Sequence, residues 1–190
     1  MKKLILFIAV GLLSLPTFAQ DNVMNKGDFM MNIGLGIGSP TYSEYSYGYD
    51  YGFGIMPSIT VSGEYGMFPT GDIGIVTLGG IASIGTSKST GYYYNSNAFS
   101  TELLFRGAWH LSVWNNPTFD VYAGVGTGVR INSIKYTSNN GTNYENSNGT
   151  NFVISEFVGA RWMMKENFGL FGEFTNGEIS FTKFGITFKF

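Results

Sequence analysis

Apolar and polar residues alternate at every second position over most of this chain. The closing stretch shows it plainly: Phe184, Ile186, Phe188 and Phe190 stand on one side, and Lys183, Gly185, Thr187 and Lys189 on the other. A period of two marks a strand with one apolar and one polar face. The same pattern recurs over 29–39, 53–65, 73–85, 98–113, 119–131, 152–164 and 168–175, which predicts eight strands in all. In the first, Phe29, Met31, Ile33, Leu35 and Ile37 oppose Asn32, Gly34, Gly36 and Gly38. Alternate glycines would break a helix, but on a concave sheet face they relieve crowding.

Four places disturb the rhythm. Pro57 lacks a ladder donor and predicts either a bulge or locally open pairing. Ile73 and Ile75 share one parity while Val76, Leu78, Ala82 and Ile84 share the other, which predicts a bulge near Ile75–Val76. Glu156 falls on the apolar face of its strand, so it belongs at the outer rim unless a bulge resets the phase. Ile179 and Phe181 share parity with the lysines, so the last strand either starts near Thr182 or carries a bulge.

Connections are long after the first, third and fifth strands and tight after the second, fourth and sixth. An even strand count with that asymmetry brings both chain ends to one side of a membrane and sends the long loops to the other. One face of the strands is nearly free of charge. The other collects Glu64, Glu102, Arg106, His110, Arg130, Arg161, Glu173, Lys183 and Lys189. In water the apolar face would be the buried one and would need a second layer. In lipid the sheet must instead close, because unpaired backbone groups at an open edge cost several kcal/mol each. The expected fold is all-β, an eight-stranded antiparallel up-and-down transmembrane β-barrel with a packed polar interior. Aromatics fall at both expected rims, with Tyr65, Phe68, Trp109, Trp114, Phe119, Trp162, Phe168 and Phe190 at the inner one and Tyr92, Tyr93, Tyr94, Phe99 and Phe152 at the outer.

Composition agrees. Only 13% of the 190 residues are charged, and there is no cysteine, so no disulfide staples the fold. Lys2 and Lys3, the apolar run 4–15 and Thr17-Phe18-Ala19 read as a signal peptide over 1–19, followed by a polar periplasmic lead-in over 20–28 and a barrel domain over 29–190. Loss of Lys2 and Lys3 from the 11 basic residues leaves 9 against 13 acidic, a balance that argues against nucleic acid.

An eight-stranded barrel is filled by its own side chains. The charges Glu64, Glu102, Arg106, His110, Arg130, Arg161, Glu173 and Lys183 therefore read first as an interior network, and a narrow polar conduit is the alternative. The expected pairs are Glu102 or Glu64 with Arg106 or Arg130, and Glu173 with Arg161. His110 and Ser112 lie on one strand face and resemble the His-x-Ser of outer-membrane lipid A deacylases. Val113 stands where that motif has Asn, His110 faces inward near the periplasmic end, and Asp120 is across a turn, so no acid is in view to orient the imidazole. No catalytic residue, cofactor or metal is expected. Tyr42, Tyr45, Tyr47, Tyr49 and Tyr51, the cluster Tyr92, Tyr93 and Tyr94, and Tyr136 and Tyr144 of the Asn-rich stretch 134–150 make candidate surface-binding loops, amphipathic in the manner of binding surfaces.

The run Asn32-Ile33-Gly34-Leu35-Gly36-Ile37-Gly38, the turn 166–174 (Glu-Asn-Phe-Gly-Leu-Phe-Gly-Glu-Phe) and Phe190 together resemble the small outer-membrane β-barrel proteins of the OmpA/OmpX-like superfamily, in its porin-family branch, across 20–190. The resemblance implies a Gram-negative host of the Bacteroidetes type. It also implies insertion by the outer-membrane assembly machinery, with Phe188 and Phe190 as the assembly signal. Implied partners are outer-membrane lipid and lipopolysaccharide and an extracellular ligand held by the loops. A non-enzymatic, monomeric protein with a structural or adhesive role is the leading expectation. Transport of small solutes through a narrow pore comes second and lipid modification third.

Overall fold

In a computed structural model, residues 22–38, 56–90, 94–112, 116–138 and 147–190 are described. The stretch 1–19 expected to be a signal peptide and the loop tyrosines Tyr42, Tyr45, Tyr47, Tyr49, Tyr51, Tyr92, Tyr93 and Tyr144 lie outside these residues. Eight strands follow in order: β1 (Phe29–Gly38), β2 (Met56–Pro69), β3 (Gly74–Thr90), β4 (Tyr94–Leu111), β5 (Phe119–Ser138), β6 (Ser147–Lys165), β7 (Phe168–Asn176) and β8 (Thr182–Lys189). Each pairs antiparallel with its neighbours, and β1 pairs with β8, so the sheet is a closed barrel.

Closure satisfies the ladder on both sides of every strand, which lets an apolar wall face lipid. The alternation read from the sequence maps onto the two faces. Leu35, Ile59, Leu103, Phe105, Val125, Ile154, Phe174 and Phe184 are exposed on the outside. Asn32, Ser62, Thr77, Ser100, Glu102, Ser155 and Thr187 are buried inside. Among the described residues no helix is long and apolar enough to cross a membrane.

Inward glycines sit opposite inward aromatics. Gly159 pairs with Tyr122 and Gly124 with Phe157. A Cβ on Gly159 would lie 2.4 Å from the Tyr122 ring, and one on Gly124 would lie 2.4 Å from Phe157. Alternation of large and empty positions lets a narrow lumen hold several aromatic rings at crystal-like density.

The disturbed places resolve as follows. β3 carries no bulge at Ile75–Val76. The register shift is on the partner strand, between Gly66 and Phe68 of β2. Ile75 is simply inward, buried with Val23, Met24, Met30 and Met163. Nor is there a bulge at Pro57, whose register against Ile37 is continuous; pairing with β3 begins one residue later, at Ser58. A second shift, between Met163 and Lys165, left no mark on the alternation. Glu156 keeps its outward phase opposite Asn176, the last residue of β7. Nine residues above Lys165, it stands about 23 Å up at a rise of about 3.3 Å and a tilt of about 40°, near the top of an apolar band about 25 Å tall. β8 starts at Thr182.

Two stretches expected to be loops are partly strand. β3 runs to Thr90 and β4 starts at Tyr94, while β5 runs to Ser138 and β6 starts at Ser147. Polar composition hid them, because these ends stand above the apolar band and have no lipid face to mark. Among the described residues the barrel is therefore uneven, with strands of 17 to 20 residues in β3–β6 against 10, 9 and 8 in β1, β7 and β8.

Both mouths are closed by chain. At the inner end the lead-in is a structured strap rather than a polar tail. Val23 and Met24 are buried, Gly27 donates to Gly66 O at 3.0 Å, and Gly66 donates to Asp28 O at 2.9 Å. Lys189 Nζ lies 2.8 Å from Asp28 Oδ2. At the outer end the β7–β8 link turns inward, burying Glu178, Ile179 and Ser180, with Ile179 against Met56, Ala98 and Ile134.

Candidate functional site

The chemistry of this protein is concentrated in its lumen. The structure places all eight predicted interior charges on the inward face, where Arg161, His110, Glu102, Glu173 and Lys183 are fully buried beside Tyr122. Buried charges persist only when paired and hydrogen-bonded. Three clusters achieve this.

The innermost is a ring of four groups. Arg161 is ion-paired with Glu64 through Nη2, and its Nη1 donates to Asp120 Oδ2 at 3.1 Å. His110 Nδ1 lies 2.9 Å from Asp120 Oδ2, and Nε2 lies 3.2 Å from both Glu64 Oε2 and Thr77 Oγ1. Asp120 is thus the acid that orients the imidazole, contrary to the sequence reading. It looked remote across the turn, but β4 and β5 are adjacent antiparallel strands, and its neighbour Tyr122 sits directly opposite His110.

In the second cluster, Glu173 takes Arg106 Nη2 at 2.8 Å and Lys183 Nζ at 3.1 Å, and Lys183 also pairs with Glu178. Glu173 was expected to pair with Arg161; Arg161 goes instead to Glu64 and Asp120. Tyr122 stands between the two clusters, where its hydroxyl donates to Glu173 Oε2 at 3.3 Å. Its ring stacks on His110 at 5.1 Å and lies beneath the Arg161 guanidinium at 4.3 Å. Arg106 lies over the Phe157 ring at 3.5 Å.

The third cluster is the pair Glu102 and Arg130, directly opposite across β4 and β5, with Arg130 Nε 2.8 Å from Glu102 Oε2. It holds the outer plug: Arg130 Nη2 donates to Gly177 O at 2.6 Å, and Ile179 N donates to Glu102 Oε1 at 3.4 Å. Asp120, Glu178, Thr77 and Tyr122 were absent from the predicted network. The inward parity of Asp120 and Tyr122 on β5 was the available signal for those two. Glu178 lies on a connection, where parity carries nothing.

The arrangement does not pair His110 with Ser112. Both ring nitrogens of His110 are committed to Asp120, Glu64 and Thr77, and neither serves Ser112. Arg161 bridges the two carboxylates that flank the imidazole, so a positive charge already fills that position. Among the described residues no group of His, Cys, Asp and Glu forms a metal site. Of the candidate binding tyrosines, Tyr94 and Tyr136 lie on β4 and β5, opposite Ser138 and Ser96. Phe188 packs against Phe168 with ring centroids 5.5 Å apart, and Phe190 is exposed, 6.2 Å from the Phe29 ring.

No protein-family model and no curated protein matches this chain. Its fold is similar to that of solved outer-membrane barrels. Ail, the attachment invasion locus protein of Yersinia pestis, superposes with a TM-score of 0.53 at 11% identity, covering 87% of this chain and 100% of that one. The same protein in complex with the heparin analogue sucrose octasulfate gives 0.52 at 13%, with 87% and 100% covered. OprG, an outer membrane protein of Pseudomonas aeruginosa, gives 0.51 at 14%, covering 90% and 99%. At such identities the likeness is one of fold: the small outer-membrane β-barrel.

Proposed function

We propose that this chain is an integral outer-membrane protein with a structural or surface-binding role and no enzymatic activity, acting as a monomer with both ends periplasmic. The observation that carries the reading is an apolar wall around a filled lumen. Phe105, Leu103, Ile154 and Phe174 are exposed by 58–70% on the outside, while Arg161, Tyr122, Lys183 and Glu173 inside keep 2% or less. A water-filled conduit along the barrel would leave those inner side chains accessible, so the packing favours a plug over a pore. The imidazole bound on both sides favours a scaffold over a hydrolase.

Ligand contact falls to the outer end, where, among the described residues, β3–β6 rise above the rest of the wall. The Ail structure with a heparin analogue supports surface binding as a use of this fold. The quoted motifs support placement in the OmpA/OmpX-like superfamily, and Phe188 and Phe190 on the closing edge suit a signal read by the assembly machinery. Cell fractionation with heat-modifiability on gels tests the location. A deletion within 139–146, which spares both strands, should leave insertion intact and abolish adhesion of cells to host matrix. Unchanged adhesion would sink the surface-binding role.

A further inference from the structure

Among the described residues the wall carries a step on its outer half. The last pairing between β2 and β3 is Ser58 with Gly85, whereas β3 and β4 stay paired as far as Thr90 with Asn95. At the foot of this step, on the lipid side, Leu35, Pro57, Ile59, Ile84, Thr86 and Phe99 line an apolar groove of about 240 Å³. Its large side chains are open, with Leu35, Ile59, Ile84 and Phe99 exposed by 46% to 55%.

Directly above the groove is a polar row. Lys88 is two residues outward from Thr86 on β3, and Asn97 is two residues outward from Phe99 on β4. These two are paired, and the other partner of Asn97 is Lys135 on β5. All three are exposed and share the outward parity of the groove residues. The lysines stand two strand spacings apart, about 10 Å. Neither has a carboxylate partner among the described residues. The other described lysines outside the lumen, Lys26, Lys165 and Lys189, are at the inner end.

Depth fits the two halves to a lipid. Lys88 is fourteen residues beyond Gly74, roughly 35 Å above the inner end at about 3.3 Å per residue and a tilt of about 40°. That is just beyond a hydrocarbon layer about 30 Å thick, at headgroup level. Ile84, four residues lower, is about 25 Å up, at the top of the apolar band.

We propose that this step binds one phosphorylated lipid of the outer leaflet. An acyl chain lies along Leu35, Ile59, Ile84 and Phe99, while the Nζ groups of Lys88 and Lys135 and the Asn97 amide donate to headgroup phosphate. Two cations about 10 Å apart suit a headgroup with two phosphates better than one with a single phosphate. The pattern of charge over an apolar furrow supplies the complementarity, and both parts lie on the same strands. The inference rests on the outer-membrane reading, which fractionation tests separately.

The test uses the full barrel refolded in phosphatidylcholine nanodiscs doped with diphosphoryl lipid A, monophosphoryl lipid A or neither, with retained lipid measured by native mass spectrometry. The wild type should retain diphosphoryl over monophosphoryl lipid A. K88Q/K135Q should weaken that retention about tenfold, and T86W, which fills the groove and keeps both lysines, should weaken it as well. Both sites face outward, so heat-modifiability should be unchanged; should T86W misfold, the lysine variants alone decide. Equal retention by K88Q/K135Q and wild type, equal retention of the two lipid A forms, or displacement by excess inorganic phosphate would each overturn the proposal.

Discussion

Asp120 Oδ2 lies 2.9 Å from His110 Nδ1 and 3.1 Å from Arg161 Nη1, so one carboxylate serves both the imidazole and the guanidinium of the inner cluster. Asp120→Ala should therefore leave two buried nitrogen groups short of a partner at once. The expected loss of stability is about 3–5 kcal/mol, read from urea unfolding in detergent by tryptophan fluorescence. Asp120→Asn, which keeps an acceptor oxygen, should lose clearly less. Equal losses would mean that charge alone matters at this position.

Among the described residues Glu173 is the one carboxylate paired with Arg106 and one of two paired with Lys183. Glu173→Gln should thus destabilise more than Arg106→Met, because it leaves two buried cations underpaired rather than one anion still held by lysine. A double-mutant cycle over Arg106 and Glu173 should return a coupling of about 1–3 kcal/mol. A coupling near zero would show that the Arg106–Phe157 stacking, not the ion pair, holds the guanidinium.

Gly159, on the inward face of β6, and Gly172, on the outward face of β7, should behave differently. A Cβ on Gly159 meets the Tyr122 ring at 2.4 Å, whereas nothing lies within 4 Å of one on Gly172. Gly159→Ala should cost about 1–3 kcal/mol by overpacking and disturb the Tyr122 contact with His110. Gly172→Ala should be neutral or slightly stabilising. Equal thermal stability of the two variants would refute the large-and-empty packing of the lumen.

The strap at the inner mouth should behave as a structural element rather than as a gate. Met24→Ala should cost about 2–5 kcal/mol by leaving a cavity against Met30, Ile75 and Met163. Neither the wild type nor this variant should give discrete conductance steps in planar bilayers, since the charge clusters still fill the barrel above. Reproducible steps from the wild type would revive the pore; steps from the variant alone would make the strap a gate.

Much of this was legible in the residues themselves. The strand count, the two faces and the inward side of all eight predicted charges follow from parity, because a strand has only two sides and the solvent on each selects for polarity. Partner choice did not follow. Glu64 and Arg161 lie on β2 and β6, far apart around the wall, and only closure and strand tilt bring them level across the lumen. Asp120 and His110 meet through a register that parity alone leaves open. The segments without alternation, Val23–Met24 and Glu178–Ser180, had no period to read. They are apolar or charged because they fill the ends of a closed tube, and such ends exist only once β1 has paired with β8.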